Sequence, residues 1–128
     1  MSIYFSDKIL ITISQGGRLA QWFHTPLDPT TPSNPVPHSH HENDPRAEDQ
    51  PPLDLLPLSY LTPATLLGGG GAERESMGQL YVVQIATAIR MRDSSEGRTV
   101  VVGLGLDTRA GVERDTFFEV MELVGKVL

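Results

Sequence analysis

Residues Ile3 to His24 read IYFSDKILITISQGGRLAQWFH, and how this stretch is read decides the fold. Two short apolar runs are joined across Gly16 and Gly17, and a Gly-Gly pair supplies the positive φ angles that a tight turn demands. The pattern predicts a β-hairpin. With a two-residue turn, Gln15 faces Arg18, Ile13 faces Ala20, Ile11 faces Trp22 and Leu10 faces Phe23. Side chains alternate across a strand, so this register sets Ile9, Ile11, Ile13, Ala20 and Trp22 on one face. Leu10, Thr12, Gln21 and Phe23 share the other. The first set is apolar enough for a core. The second mixes apolar and polar groups, as a surface does when it is half solvated or covered by another chain.

Beyond the hairpin, Thr25 to Leu58 is rich in proline. Nine of the ten prolines fall between Pro26 and Pro57. Proline withholds a backbone donor from helix and sheet, and the Ser, Asn, Asp and Glu around it leave little apolar surface to offset the cost of ordering. The stretch is expected to be a disordered insert inside a single domain spanning residues 1–128. Closure entropy grows slowly with loop length, so removing Pro29 to Pro51 should leave folding unchanged. His38, His40 and His41 lie within it, but a proline-rich segment does not hold ligands in a fixed tetrahedron. No metal site is expected there.

Ser59 to Gly68 (SYLTPATLLG) reads as a strand bent at Pro63. Gly68 to Gly71 then break the chain. A phosphate-binding loop needs Lys-Ser/Thr after its last glycine, whereas this chain continues Ala72-Glu73-Arg74-Glu75, so the glycines read as a connector. From Ala72 to Asp93 the spacing is helical, with Met77, Tyr81, Ile85 and Ile89 on a stripe flanked by Leu80, Val82 and Ala86. Glu73 and Glu75 near its start and Arg90 and Arg92 near its end complement the helix dipole.

Arg98 to Asp107 (RTVVVGLGLD) is the most apolar strand. Val100, Val102, Leu104 and Leu106 point one way. Thr99, Val101, Gly103 and Gly105 point the other, leaving a smooth side that lets a neighbour approach closely. A dinucleotide-binding reading of Gly103 and Gly105 fails, because the next glycine, Gly111, comes too late. The chain closes with a helix predicted over Thr116 to Val127, with a start as early as Val112 left open, capped by Thr116 and Glu119 and buried along Phe117, Val120, Met121, Val124 and Leu128.

Composition excludes several classes of function. The net charge is −6 and cysteine is absent. An acidic chain without a basic cluster argues against nucleic acid or an anionic membrane as partner. The lack of cysteine rules out disulfides and thiolate chemistry and fits an intracellular, reducing setting. No apolar run is long enough to span a bilayer. Catalysis has little to work with. The one histidine outside the insert is His24, and the acids Asp7, Asp107 and Glu119 have plainer roles at a turn, a strand end and a helix start. The expectation is a binding or assembly protein without a cofactor. The alternatives are a small soluble enzyme, which a pocket joining His24 to a carboxylate would support, and a generic protein-binding domain.

Together, FSDKILITISQGGRLAQW, TPATLLGG, GQLYVVQIATAI, VVVGLGL and the closing helix resemble the proteasome assembly chaperone 3 family, with the chaperone 4 family as its near relative. The resemblance implies an α+β fold, a single antiparallel sheet with two α-helices on one face, that dimerises sheet to sheet. It also implies a non-catalytic chaperone of the cytoplasm and nucleus that pairs with a chaperone 4-like protein and guides proteasome α-subunits into the first ring of the core particle. Leu10, Thr12, Gln21, Phe23 and Val101 are then the expected partner-binding residues, and replacing Phe23 with Asp should abolish pairing without loss of helix. The chain departs from the family in its proline-rich insert. It also begins at Met1, where the family has an additional flanking strand, which leaves the edge of the hairpin expected to be bare.

Overall fold

A computed structural model describes residues 1–28, 60–68, 70–107 and 114–128. Its elements are β1 (Ser2–Tyr4), β2 (Lys8–Ser14), β3 (Gln21–Pro26), β4 (Ala64–Leu67), α1 (Ala72–Arg92), β5 (Thr99–Gly105) and α2 (Arg114–Val127). The class is α+β. All five strands form one sheet in the order β1-β2-β5-β3-β4. Three of its pairings are antiparallel, while β2 and β5 run parallel, so the sheet is mixed rather than antiparallel throughout.

The predicted hairpin does not form. Strand β5 lies between β2 and β3, and the two strands that flank the glycine pair never touch as a ladder. Two strand spacings amount to about 10 Å, which a two-residue turn cannot cross, so residues 15–20 bridge the end of β5. The Gln15 amide donates to the Gly105 carbonyl at 2.9 Å and the Ala20 amide to the Leu104 carbonyl at 2.8 Å. Gly16 and Gly17 supply φ angles of 67° and 74° to this bridge. Gly105 makes room for it, since a Cβ there would collide with the Arg18 carbonyl. The bridge is therefore the neighbour that approaches the smooth side of β5.

Inserting β5 also changes which β3 side chains are buried. Ile11 and Phe23 both stand opposite Val102, and Ile9 and Thr25 both stand opposite Val100. Phe23 therefore shares a face with Ile9 and Ile11, and Trp22 does not, the reverse of the hairpin register. A one-residue change of pairing sends every side chain to the other face. Ile9, Ile11, Phe23, Val100, Val102 and Leu104 join Tyr81, Val82, Ile85, Ile89, Val120 and Val124 in one core, so both helices pack on this side.

The helices keep close to their sequence bounds. Helix α1 buries Gly78, Tyr81, Val82, Ile85, Ala86, Thr87 and Ile89, while Leu80 turns outward, 43% exposed. Gly78 presents its bare backbone to Phe23. Helix α2 begins at Arg114, so Thr116 lies inside its first turn rather than at its cap. The Tyr81 and Phe117 rings join the two helices at a centroid distance of 4.9 Å.

Three further expectations are corrected. Strand β3 continues through Thr25 and Pro26, and Leu27 is fully buried, because the alternation that buries Phe23 also turns Thr25 and Leu27 inward. The ordered fold thus reaches into the segment expected to be an insert; residues 29–59, including the three clustered histidines, lie outside the described residues. Of Ser59 to Gly68, among the described residues 60–68, only Ala64–Leu67 is strand. The edge of β2 is not bare, since β1 pairs with it. The Met1 carbonyl accepts from the Thr12 amide at 2.9 Å, and the Ser2 hydroxyl donates to the Val127 carbonyl at 2.6 Å.

Candidate functional site

The side of the sheet away from the core carries the candidate site. By register, Ile3 of β1 stands beside Leu10 of β2, Leu10 beside Val101 of β5, and Val101 beside His24 of β3. One pleat along, Thr12, Gly103, Trp22 and Leu67 form a second row. The two rows cross all five strands. Leu10, Thr12, Trp22, His24 and Val101 are half-buried, whereas Ile3 is 38% and Leu67 is 69% exposed. Trp22 lies over Gly103, where a Cβ would come within 2.9 Å of its Cζ3. The indole thus fills the gap left by the glycine and gives the face a continuous apolar surface.

Leu10, Thr12 and Val101 meet on this face as the sequence predicts. Gln21 and Phe23 do not, because β5 displaces β3 and turns them into the helix-covered side, where Phe23 is fully buried and Gln21 is 5% exposed. Trp22 and His24 take their places. The alternation within β3 was visible in the sequence. Which half of it faced outward depended on a strand some eighty residues downstream, about which the local Gly-Gly signal says nothing.

At the lower corner of this face, Asp7 and Lys8 pair at 3.0 Å, and the hydrogen bond from Lys8 lowers the Asp7 carboxyl below its ordinary value. Nearby, Arg98 grips Glu96 with two contacts of 2.7 Å and donates to the Phe5 carbonyl at 2.8 Å. Hydrogen bonding from Arg98 lowers the Glu96 carboxyl. This clamp ties the turn before β2 to the turn before β5, and so fixes the parallel pair at the centre of the sheet.

A separate cleft of ≈ 190 Å³ opens at the start of α1, lined by Gln21, Arg74, Met77, Tyr81, Leu104 and Asp107 among others. His24 does not line it, so the cleft does not unite that imidazole with a carboxylate. Burial pushes the Tyr81 hydroxyl above its ordinary value. That oxygen is buried, with no hydrogen-bond partner among the described residues. Asp7 is held by Lys8, Asp107 sits at the end of β5 with its amide donating to Gln15 Oε1 at 2.8 Å, and Glu119 is exposed on α2. Among the described residues no cluster of three His, Cys, Asp or Glu could hold a metal ion, and no helix is long and apolar enough to cross a membrane.

Compared with protein-family profiles, curated proteins and solved structures, the chain matches none.

Proposed function

We propose that this chain is a non-catalytic assembly chaperone that pairs through the open face of its sheet with a related chaperone and promotes α-ring assembly of the proteasome core particle. The observation that carries the reading is the two-row apolar surface from Ile3 to Leu67, which no described element covers. Large exposed apolar patches mark interaction sites, and this reading treats the face as one. Both helices are already used on the opposite face, so no element among the described residues covers this one, which supports assigning that role to a second chain. The sequence resemblance to the assembly chaperone 3 family supports a chaperone 4-like protein as the occupant and a cytoplasmic and nuclear setting for the pair. The mechanism is surface complementarity, with no cofactor.

Affinity capture of the full chain from its native cell, followed by mass spectrometry, tests the proposal. A chaperone 4-like protein and proteasome α-subunits should be recovered. They should disappear together when Leu10 is replaced by Asp. Recovery of a different complex lacking α-subunits would sink the reading.

A further inference from the structure

The cleft at the start of α1 lies on the helix-covered side of the sheet, away from the face proposed for pairing. Met77 and Tyr81 of α1, with Leu104 and Leu106 from β5 and just beyond it, give it apolar walls. Two polar groups are buried among them. Gln21 lines the cleft at 5% exposure. Its amide nitrogen reaches the Arg74 carbonyl only at 3.4 Å, and its amide oxygen accepts no hydrogen bond among the described residues. Tyr81 is buried at 1% exposure, and its hydroxyl has no partner. Side chains on a helix lean toward its N-terminus, which is the end where the cleft opens. Buried polar groups without partners cost stability, and each calls for an explanation. A ligand that completes their hydrogen bonds supplies one.

We infer that this cleft is a binding site for a small neutral molecule of one ring bearing one carboxamide. Volume sets the ring. An apolar cavity of about 150 Å³ accepts benzene, so a cleft of ≈ 190 Å³ has room for one ring and a small substituent. Hydrogen bonding sets the substituent. The Gln21 amide offers a donor and an acceptor, and the Tyr81 hydroxyl serves as either. A carboxamide also donates and accepts, so it answers both groups, whereas a hydrocarbon leaves them unpaired. Charge sets the neutrality. The mouth carries Glu73, Arg74 and Asp107, two carboxylates against one guanidinium, which gives an anion no net attraction. Apolar walls with a few converging polar groups are the usual make-up of a small-molecule site.

The test titrates the full chain with benzamide, toluene and benzoate and follows backbone amides by proton–nitrogen correlation spectra. Benzamide should shift Gln21, the first turns of α1 and Leu104 to Leu106 saturably. It should bind at least about fivefold more tightly than toluene, the ratio that one net hydrogen bond supplies, and more tightly than benzoate. Gln21→Met keeps the length of the side chain and removes the amide, so it should bind benzamide and toluene about equally, with circular dichroism confirming its fold. Absence of saturable shifts around the cleft, equal affinity of wild type for benzamide and toluene, tightest binding of benzoate, or an unchanged preference in folded Gln21→Met overturns the inference. Should that variant fail to fold, the wild-type ranking of the three ligands decides. The pairing proposal rests on other residues and stands or falls separately.

Discussion

Gly78 of α1 stands directly against the ring of Phe23, so close that a Cβ built on it would lie 2.6 Å from Phe23 Cε2. Phe23 is fully buried and belongs to the strand beside the central one. Helix and sheet can approach this closely because one partner contributes no side chain. Gly78→Ala, normally favourable inside a helix by up to about 1 kcal/mol, should instead destabilise the protein by about 1–3 kcal/mol through overpacking. Thermal unfolding of the variant measures the sign, and an increase in melting temperature would refute the contact.

The two faces of the sheet predict opposite phenotypes for the same chemical change. Phe23→Asp places a carboxylate in the core and should unfold the domain, costing several kcal/mol. Leu10→Asp and Val101→Asp place one on the open face, and should keep the helical circular-dichroism signal while losing the partner. A folded Phe23→Asp variant would return β3 to the hairpin register.

Acid should weaken the clamp that joins the two turns. The Glu96 carboxyl is lowered by its hydrogen bonds with Arg98, so the folded state favours the ionised form. Its contribution is complete above the ordinary glutamate range, near pH 4.5, and is lost as pH falls through the lowered folded-state value. Wild type should lose melting temperature over that interval, and Glu96→Gln should be less stable at neutral pH with a flatter profile. Parallel curves for the two proteins would show that the pair contributes nothing measurable.

Trp22 provides an optical report on the open face. Gly103→Val would push a branched side chain into the space occupied by the indole, so the ring must swing outward. The emission maximum of the single tryptophan should shift to the red, with a modest loss of stability of about 1–2 kcal/mol. An unchanged spectrum would place the ring elsewhere.

The elements themselves were largely legible in the sequence, because their signals are local. The stripe through Tyr81, Ile85 and Ile89 delimits α1 to within a residue, and the alternation Val100-Val102-Leu104 identifies the buried side of β5. Strand order was not legible. Gly16 and Gly17 announce a change of direction but not its width, and an ordinary tight turn is the simplest reading of such a pair. The clue to the correct arrangement lay in β5, whose apolar character on both sides suits a central strand better than an edge. The sites inherit this division. Leu10, Thr12 and Val101 depend on strands β2 and β5 and share the open face, whereas Gln21 and Phe23 depended on the hairpin and turn to the core.

Placing β5 between β2 and β3 has a consequence for how the chain is made. The strand at the centre of the sheet is the last of the five to leave the ribosome. Until Thr99–Gly105 emerges, β2 and β3 have unpaired edges facing an empty slot, and both rows of apolar side chains that will flank β5 remain in water. Contacts between segments this far apart in sequence form slowly, because loop closure comes before any compensating pairing. Nascent chains truncated before residue 99 should therefore be the species most prone to aggregate, so the chain would depend on protection during its own synthesis.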